Sequence, residues 1–254
     1  MPATSERIDP ENRSPTAKML YHRHLFAYRH AAGLIRGDKD IADIGCGLGY
    51  GLNELHHPRI SIGLDSDISP LKRLPSGALP IACDIVDIPL AASSMDALLC
   101  MQAIEHIGEP GALLHEASRI LRPGGLLIMT TPNRRLRLKD GQRPWNRFHV
   151  TEYDASGFKA LIEPHFKKVG IDGIIACPSV MDAERARLSS IRRLAGLDPL
   201  GLRYLLPEQL IQGLSGLLKP FTGGESRGYE SKGEDYHITS DLEGCLDLLA
   251  VCTR

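Results

Sequence analysis

Short apolar runs alternate with amphipathic stretches along most of the chain. The apolar runs predict strands near residues 40–44, 60–64, 80–83, 96–101, 125–131, 168–176 and 245–252. The amphipathic stretches between them predict helices at about 49–57, 68–74, 109–121 and 154–165. Such helices fit the crossovers between parallel strands. The pattern therefore predicts an α/β protein, with a mostly parallel sheet that has helices on both faces.

Three segments stand outside this alternation. Residues 1–14 are rich in Pro, Ser and charge, which predicts a mobile tail. Ser14 and Pro15 predict the N-cap and first position of a helix that ends at Gly37. Residues 178–240 carry Leu-rich helical segments broken by Pro, followed by a Gly-rich stretch. We therefore expect an N-terminal helix over 15–37, a core over 38–176, a helical insertion over 178–240 and a final strand within 241–254.

Composition narrows the class of protein. The chain has 254 residues, 43% of them hydrophobic, and a formal net charge of -1. This length suits one domain with a sizeable core, and the charge gives no general attraction to nucleic acid. The six Cys show no zinc-site spacing and are typical of buried thiols in a reducing compartment. Since signal-peptide and membrane-spanning patterns are also missing from the sequence, we expect a cytoplasmic protein without membrane insertion.

The sharpest local signal is a glycine-rich turn at the end of the first predicted strand. It carries Gly45, Gly47 and Gly49 between the strand and the next predicted helix. Glycines there let the backbone turn sharply and approach a ligand closely at the sheet edge. The spacing matches neither the dinucleotide fingerprint nor the P-loop, and it suits a nucleoside without a pyrophosphate. Tight packing is the alternative explanation for these glycines.

Three carboxylates end three successive predicted strands. They are Asp43 beside the glycine turn, Asp65 and Asp84. Asp65 is placed to accept hydrogen bonds from two ribose hydroxyls. Asp84 is placed to accept one from an exocyclic adenine amine, while Ile85 packs on the ring. Each Asp alone could be a helix N-cap or a solvated loop residue, but the three together favour a nucleoside site.

These residues and several later motifs resemble the class I S-adenosylmethionine-dependent methyltransferases. The motifs are 43–49 (DIGCGLG), Asp65, 83–85 (CDI), 94–96 (SMD), 104–107 (IEHI) and 121–133 (LRPGGLLIMTTPN). Their order and spacing agree over residues 38–176. Trp145 and 148–153 (FHVTEY) resemble the small-molecule branch, which includes ubiquinone-pathway and sugar O-methyltransferases.

The resemblance implies a single methyltransferase domain over 1–254 with a Rossmann-like, seven-stranded sheet in the order 3-2-1-4-5-7-6. One strand would be antiparallel, and the helical insertion would precede the last strand. The resemblance also implies S-adenosyl-L-methionine as cofactor and S-adenosyl-L-homocysteine as product. The methionine moiety would lie on Asp43 and the glycine turn, the ribose on Asp65, and the adenine on Asp84 and Ile85. The remaining expected cofactor contacts are Cys46, Ser66, Met101 and Gln102.

The motif after the fourth predicted strand supplies the candidate base. His106 is the first candidate to accept a hydroxyl proton, because a free imidazole has a pKa near neutrality, and His149 is the second. The alternatives are that His106 stacks under the cofactor or bonds to backbone, and that His149 fixes its loop. We expect the acceptor to be bound by Glu105, Asn133, Arg134, Arg135, Trp145 and His149.

Two further features concern ions. Some relatives hold magnesium through a Glu three residues before a Glu-His pair. Here that position is Gln102, a neutral amide, which predicts that no metal is bound. Residues 133–147 carry six basic side chains against one Asp. This run is either a solvated loop or a site for an anionic acceptor, because Arg binds carboxylate and phosphate bidentately.

The sequence thus predicts a methyltransferase that acts on a hydroxyl of a natural product, a sugar or a quinone-like intermediate. N- or C-methylation and a non-catalytic protein that binds the cofactor are the alternatives. Nucleic-acid methylation is disfavoured by the neutral charge and by the absence of an Asn/Asp-Pro-Pro-Tyr/Phe motif after the fourth predicted strand. The Leu-rich insertion is expected to be a lid over the acceptor, with a homodimer contact or membrane-surface association as alternatives.

Overall fold

The computed structural model describes residues 7–139, 141–196 and 231–254. In this part of the chain eight strands form one sheet, in the order β3-β2-β1-β4-β5-β8-β6-β7. The strands are β1 (Asp40–Ile44), β2 (Ile60–Asp65), β3 (Ala78–Ala82), β4 (Met95–Met101), β5 (Leu121–Pro132), β6 (Lys168–Ala176), β7 (Tyr236–Thr239) and β8 (Asp247–Thr253).

Six α-helices accompany the strands within the described residues. They are α1 (Pro15–Leu34), α2 (Ile68–Leu71), α3 (Pro110–Ile120), α4 (Arg134–Arg137), α5 (Ala155–Ile162) and α6 (Pro178–Gly196). Short 3-10 turns cover Tyr50–Glu54, Ile104–His106 and Gly233–Asp235. No helix of the described residues is long and apolar enough to cross a membrane.

The expected Rossmann-like order is confirmed for seven strands. Strands β1 to β5 pair in parallel, and β8 lies antiparallel between β5 and β6. The structure adds β7, which pairs antiparallel with Gly173–Ala176 of β6. The described residues therefore form eight strands where seven were predicted. Two of these strands, β7 and β8, run antiparallel to the others, where one was predicted. Strand β7 lies within 178–240, where four residues after a Gly-rich stretch give too short a pattern to detect.

The central strands are buried on both faces, as their apolar sequences predict. All five residues of β1 are buried. One face packs against α3 and α5 through side chains such as Leu114 and Phe158. The other face packs against α1 and α6 through side chains such as Ala31 and Met181. The sheet is thus the middle layer of three.

Helix α1 begins as predicted, since Ser14 Oγ accepts a hydrogen bond from Ala17 N at 3.3 Å. The helices predicted at 49–57 and 68–74 are shorter than expected, with only a 3-10 turn at the first and one turn of α-helix at the second. Gly49 enters its turn with a left-handed φ of 68°, and Pro75 follows the second segment. A continuous helix is therefore not formed at either place.

Residues 7–14 belong to the segment predicted as a mobile tail, and two of their side chains form ion pairs with residues that follow β2. Arg7 Nη1 lies 2.9 Å from Asp67 Oδ2, and Arg73 Nη2 lies 3.2 Å from Glu11 Oε1. These ion pairs attach the segment to the loop after β2. The Leu-rich residues of the predicted insertion, 197–230, lie outside the described residues.

Candidate active site

A cavity of about 450 Å³ opens at the edge of the sheet where β1, β2 and β4 end. Its volume is in the range of small-molecule sites. It is lined by the glycine turn, the strand ends, α1 and the segment before it. Of the residues selected from the sequence, those that line it are Gly45, Cys46, Gly47, Asp65, Ser66, Ile85, Met101, Gln102, Glu105, His106 and His149.

The three glycines of the turn all have positive φ angles, 73° at Gly45, 53° at Gly47 and 68° at Gly49. A Cβ added at Gly47 would have no neighbour within 4 Å, and Gly47 faces the cavity. A Cβ at Gly49 would instead collide with Leu74. Gly49 does not line the cavity. The absence of a side chain at Gly49 is thus required by packing, and a ligand contact there stays a prediction.

Asp43 lies behind the cavity wall and is fully buried. Its Oδ2 accepts a hydrogen bond from the Tyr28 hydroxyl at 2.9 Å, whereas its Oδ1 has no partner among the described residues. Burial, aided by the nearby charge of Asp65, raises the pKa of Asp43 to about 7, although the Tyr28 hydrogen bond opposes the shift. An unpartnered buried carboxylate oxygen is a place where a cationic ligand group fits.

Asp65 joins the end of β2 to the glycine turn. Its Oδ2 accepts a hydrogen bond from Gly47 N at 3.0 Å, and its Oδ1 accepts one from Asp67 N at 2.9 Å. Asp84 behaves differently from the prediction, because its exposed side chain accepts a hydrogen bond from Val86 N and does not line the cavity. Ile85 lines the cavity whereas Asp84 does not, and an adenine contact at Ile85 stays a prediction.

Gln102 follows β4 in a left-handed conformation with a φ of 52°. Its backbone is held there because its N–H donates to Thr130 O at 2.9 Å. A non-glycine residue with positive φ is costly, and such residues cluster at functional sites. This conformation brings Met101 and Gln102 to the cavity beside the following 3-10 turn.

His106 and His149 face each other with ring centroids 4.8 Å apart and ring planes at 86°. His106 Nδ1 lies 3.0 Å from Phe148 O, and His149 Nδ1 lies 2.8 Å from Glu152 Oε1. A carbonyl oxygen only accepts, so His106 Nδ1 carries the hydrogen and its Nε2 is the basic nitrogen when the ring is neutral. Burial alone would raise the pKa of Glu152, but His149 and Arg137 hold it below its usual value.

Glu105, which precedes His106, forms hydrogen bonds that connect the His106–His149 pair to neighbouring segments of the fold. Its backbone oxygen accepts a hydrogen bond from Val150 N at 2.8 Å, and its Oε2 accepts one from Thr131 Oγ1 at 3.1 Å. Burial raises the pKa of Glu105 to about 7. A neutral carboxyl is therefore present beside the two imidazoles over part of the neutral range.

Glu105, His106 and His149 also bring their ligand atoms within 4.8 Å of one another. Such a group could hold a metal ion. We expect no metal because Gln102 is a neutral amide where some relatives have an acidic ligand. No finding tests this expectation, so metal independence stays a prediction.

Four residues expected to contact the acceptor, Asn133, Arg134, Arg135 and Trp145, do not line the cavity. Asn133 is buried, and its Nδ2 donates to Leu242 O at 2.8 Å and to Cys245 O at 3.1 Å. It thereby ties the end of β5 to the turn before β8. Arg135 Nε lies 3.9 Å from Asp154 Oδ2, away from the cavity. The sequence indicated the segment of the chain that follows β5, but it did not indicate which side chains of that segment line the cavity.

Besides Arg7 of the N-terminal segment, three helical arginines that the sequence did not single out line the cavity, Arg23, Arg137 and Arg187. Arg137 belongs to the basic run that was noted, but nothing in the run separated it from its neighbours. Arg23 lies on the buried side of α1 and Arg187 in the predicted insertion. Only tertiary packing brings the three to one site.

The fold and this cavity define a Rossmann-like α/β protein with a nucleoside-type site. Residues 42–129 match the family model described as a methyltransferase domain. A probable S-adenosylmethionine-dependent methyltransferase of Mycolicibacterium smegmatis is 29% identical over 174 residues, which cover 61% of this chain and 67% of that protein. A ubiquinone biosynthesis O-methyltransferase of Caulobacter vibrioides is 30% identical over 110 residues, which cover 38% of this chain and 42% of that protein.

Solved structures agree on the fold. A S-adenosylmethionine-dependent methyltransferase of Thermotoga maritima, described as a possible histamine N-methyltransferase, aligns with a TM-score of 0.58 at 15% identity. The alignment covers 92% of this chain and 91% of that one. Residues 42–129 thus match a methyltransferase domain, and the relatives support a class I S-adenosylmethionine-dependent enzyme whose cofactor is S-adenosylmethionine. The open space at Gly47 and the carboxylate of Asp65, both in the lining of the cavity, fit that cofactor.

Proposed function

We propose that the protein methylates a hydroxyl oxygen of a small-molecule acceptor such as a natural product, a sugar or a quinone-like intermediate. The observation that carries the proposal is the pair of imidazoles, His106 and His149, lining the same cavity as Gly47 and Asp65. S-adenosylmethionine supplies an electrophilic methyl group on a sulfonium. The chain must then orient the acceptor and remove its proton.

His106 is the proposed general base. Its Nδ1–H is held by Phe148 O, so a neutral ring offers Nε2 to the acceptor hydroxyl. His106 Nε2 would take the hydroxyl proton as the acceptor oxygen bonds to the methyl carbon. The methyl–sulfur bond would break in the same step, with S-adenosylhomocysteine as the leaving group. His149, oriented by Glu152, is placed to support the charge on His106 or to act as the base itself.

Oxygen as the acceptor atom is supported by the printed name of the Caulobacter relative, a ubiquinone biosynthesis O-methyltransferase. The Thermotoga neighbour, described as a possible histamine N-methyltransferase, supports the alternative of nitrogen. The His pair favours oxygen, because a hydroxyl must lose its proton to react well whereas a neutral amine attacks directly. A cytoplasmic location, the absence of a nucleic-acid partner and a lid formed by 178–240, with a homodimer contact through 178–240 as the alternative, are part of the same proposal.

The test uses S-adenosylmethionine carrying a ¹³C methyl group and a panel of hydroxylated and aminated small molecules. Carbon NMR then shows whether the label enters a methoxy group. We expect methoxy products, and we expect His106→Gln to lower kcat by about 10²- to 10⁴-fold without changing the affinity for S-adenosylhomocysteine. His115→Gln, a change at an exposed site on α3, is the matched control.

Label found only on nitrogen or carbon would overturn oxygen as the acceptor atom. Equal activity of the His106→Gln and His115→Gln variants would remove His106 as the base. A loss of activity confined to His149→Gln would move the base to the His149–Glu152 pair.

A further inference from the structure

Apart from Arg7 of the N-terminal segment, three arginines from three separate helices line the cavity, Arg23 of α1, Arg137 of α4 and Arg187 of α6. The carboxylate of Glu152 joins one of these arginines, Arg137, to His149. Arg137 Nε lies 3.1 Å from Glu152 Oε1, and the same oxygen lies 2.8 Å from His149 Nδ1. Arg137 therefore lies in the part of the cavity where the proposed function places the acceptor. Its charge also helps to lower the pKa of Glu184, the carboxylate that pairs with Arg23 and Arg187.

Buried carboxylates fix the side chain of Arg187 from behind. Arg187 Nε donates to Glu184 Oε2 at 2.7 Å, and the other oxygen of Glu184 lies 3.3 Å from Arg23 Nη1. Arg23 Nε in turn lies 2.9 Å from Asp247 Oδ2. Glu184 and Asp247 are almost fully buried, whereas a quarter of the Arg187 side chain is exposed. The chain of ion pairs thus orients a guanidinium whose outer edge is accessible.

That outer edge consists of the two Nη atoms of Arg187. Within the described residues, the hydrogen bond and the ion pair of Arg187 both use its Nε. A guanidinium held through Nε presents its Nη atoms as donors for a carboxylate or phosphate. The fixed side chain also loses less rotamer freedom on binding than a free surface arginine.

The charges around this edge favour an anion. His149 and Arg137 hold the pKa of Glu152 below its usual value although burial opposes it, and Arg187 and Arg23 do the same for Glu184. Both carboxylates are therefore ionised and already paired, which leaves the outer Nη edge of Arg187 for a further anion.

We propose that Arg187, with Arg137 beside it, binds an oxyanion of the acceptor, a carboxylate or a phosphate, and thereby places a hydroxyl of the same molecule near His106. This inference rests on the proposed function and names the class of its substrate. It replaces Arg134 and Arg135, which do not line the cavity, as the anion-binding residues. The methionine carboxylate of the cofactor is the competing occupant.

The test is calorimetry on the full chain saturated with S-adenosylhomocysteine, so that the methionine carboxylate already occupies its own position. Inorganic phosphate and benzoate are titrated separately, which distinguishes the two oxyanions. The variants are Arg187→Gln, Arg187→Lys and, as matched control, Arg185→Gln. Arg185 is exposed on the same helix and lies 3.8 Å from Asp182.

We expect phosphate or benzoate to bind the wild-type chain and the Arg185→Gln variant equally, and the Arg187→Gln variant at least about 10-fold more weakly, as for the loss of a charge-assisted hydrogen bond. Arg187→Lys should bind the anion with intermediate affinity, since it keeps the positive charge but loses the two parallel donors of the guanidinium. Affinity for S-adenosylhomocysteine should stay unchanged in Arg187→Gln, and circular dichroism should show that the variant is folded.

Failure of both anions to bind the wild-type chain would overturn the inference, and so would equal binding by Arg187→Gln and Arg185→Gln. A matching loss of S-adenosylhomocysteine affinity in Arg187→Gln would assign Arg187 to the cofactor instead. Methylation of nitrogen in the NMR assay would overturn the proposed function while leaving the anion site in place.

Discussion

Gly45, Gly47 and Gly49 share a left-handed backbone but differ in what surrounds them. The sequence predicts their conformation because only glycine takes it without strain. It does not predict their neighbours, since Leu74, which fills the space at Gly49, lies in a separate segment. The same limit applies to Asp65 and Asp84. Both follow predicted strands, but only Asp65 lines the cavity.

The glycine turn gives a paired prediction. Both Gly47→Ala and Gly49→Ala carry the left-handed strain of about 1–2 kcal/mol. Gly47→Ala should add little further loss of stability, because its Cβ meets open space, but it should weaken S-adenosylhomocysteine binding. Gly49→Ala should lower the free energy of unfolding by about 2–4 kcal/mol through its collision with Leu74. Urea unfolding and calorimetry measure the two effects, and equal stability of the variants would contradict this division.

Asp43 gives a prediction about pH. Its pKa is raised from an ordinary value of 3.8 to about 7, so the folded state keeps a proton that the unfolded state loses between those values. Stability contributed by this group is therefore full below about pH 4 and falls as pH rises to about 7. Asp43→Asn should lessen the decline in unfolding free energy between pH 5 and pH 8 by about 2–3 kcal/mol. Identical pH profiles for variant and wild type would rule out the raised pKa.

At the scale of elements, the sequence predicted the strands that build the core and the start of α1. Their apolar runs are long, and Ser14 and Pro15 mark the helix N-terminus locally. Strand β7 was missed because its four residues pair only when β6 presents an edge. The docking of α1 on α6 and β8 was missed for a different reason. Arg23 is charged, so its burial depends on Glu184 and Asp247, which are more than 160 residues away.

The Arg23 ion pairs predict how strongly α1 is held. Arg23→Met should lower the free energy of unfolding by about 3–5 kcal/mol, because it leaves buried carboxylates without their partner. Arg29→Met on the same helix is the control, since the pair of Arg29 with Glu54 is largely exposed and should cost less than about 1 kcal/mol. Denaturant unfolding of both variants provides the comparison. A similar loss for the two would mean that the Arg23 network does not hold the helix.

At the scale of the whole molecule, one cavity is assembled from parts distant in sequence. The sheet edge supplies Gly47, Asp65 and His106, α1 supplies Tyr28, and α6 supplies Arg187. The first group was found from the sequence because motif and strand end coincide. The cavity residues on the helices could not be predicted from the sequence, because the residues around a helical Tyr or Arg do not indicate which cavity its side chain faces. Residues 7–14 belong with them, since Arg7 and Asn12 line the cavity although the segment was predicted to be mobile.

This N-terminal segment is expected to slow the release of ligand. Deleting residues 1–13 removes Arg7 and its ion pairs but keeps the Ser14 cap of α1. Dissociation of S-adenosylhomocysteine should become about 10-fold faster, as for the loss of about 1.4 kcal/mol of binding free energy. The free energy of unfolding should change by less than about 1 kcal/mol, since exposed ion pairs contribute little. Stopped-flow displacement measures the rate, and an unchanged rate would show that the segment does not cover the ligand.

We expect a single cavity to hold the cofactor at its Gly47–Asp65 side and the reacting acceptor at its His106–His149 side. A crystal structure grown with S-adenosylhomocysteine would show the position of both sides relative to the ligand. We expect density for the ribose within hydrogen-bond distance of the Asp65 carboxylate, adenine against Ile85, and the sulfur directed toward the His106–His149 pair. A nucleoside bound elsewhere, or a sulfur turned away from both histidines, would contradict this expectation.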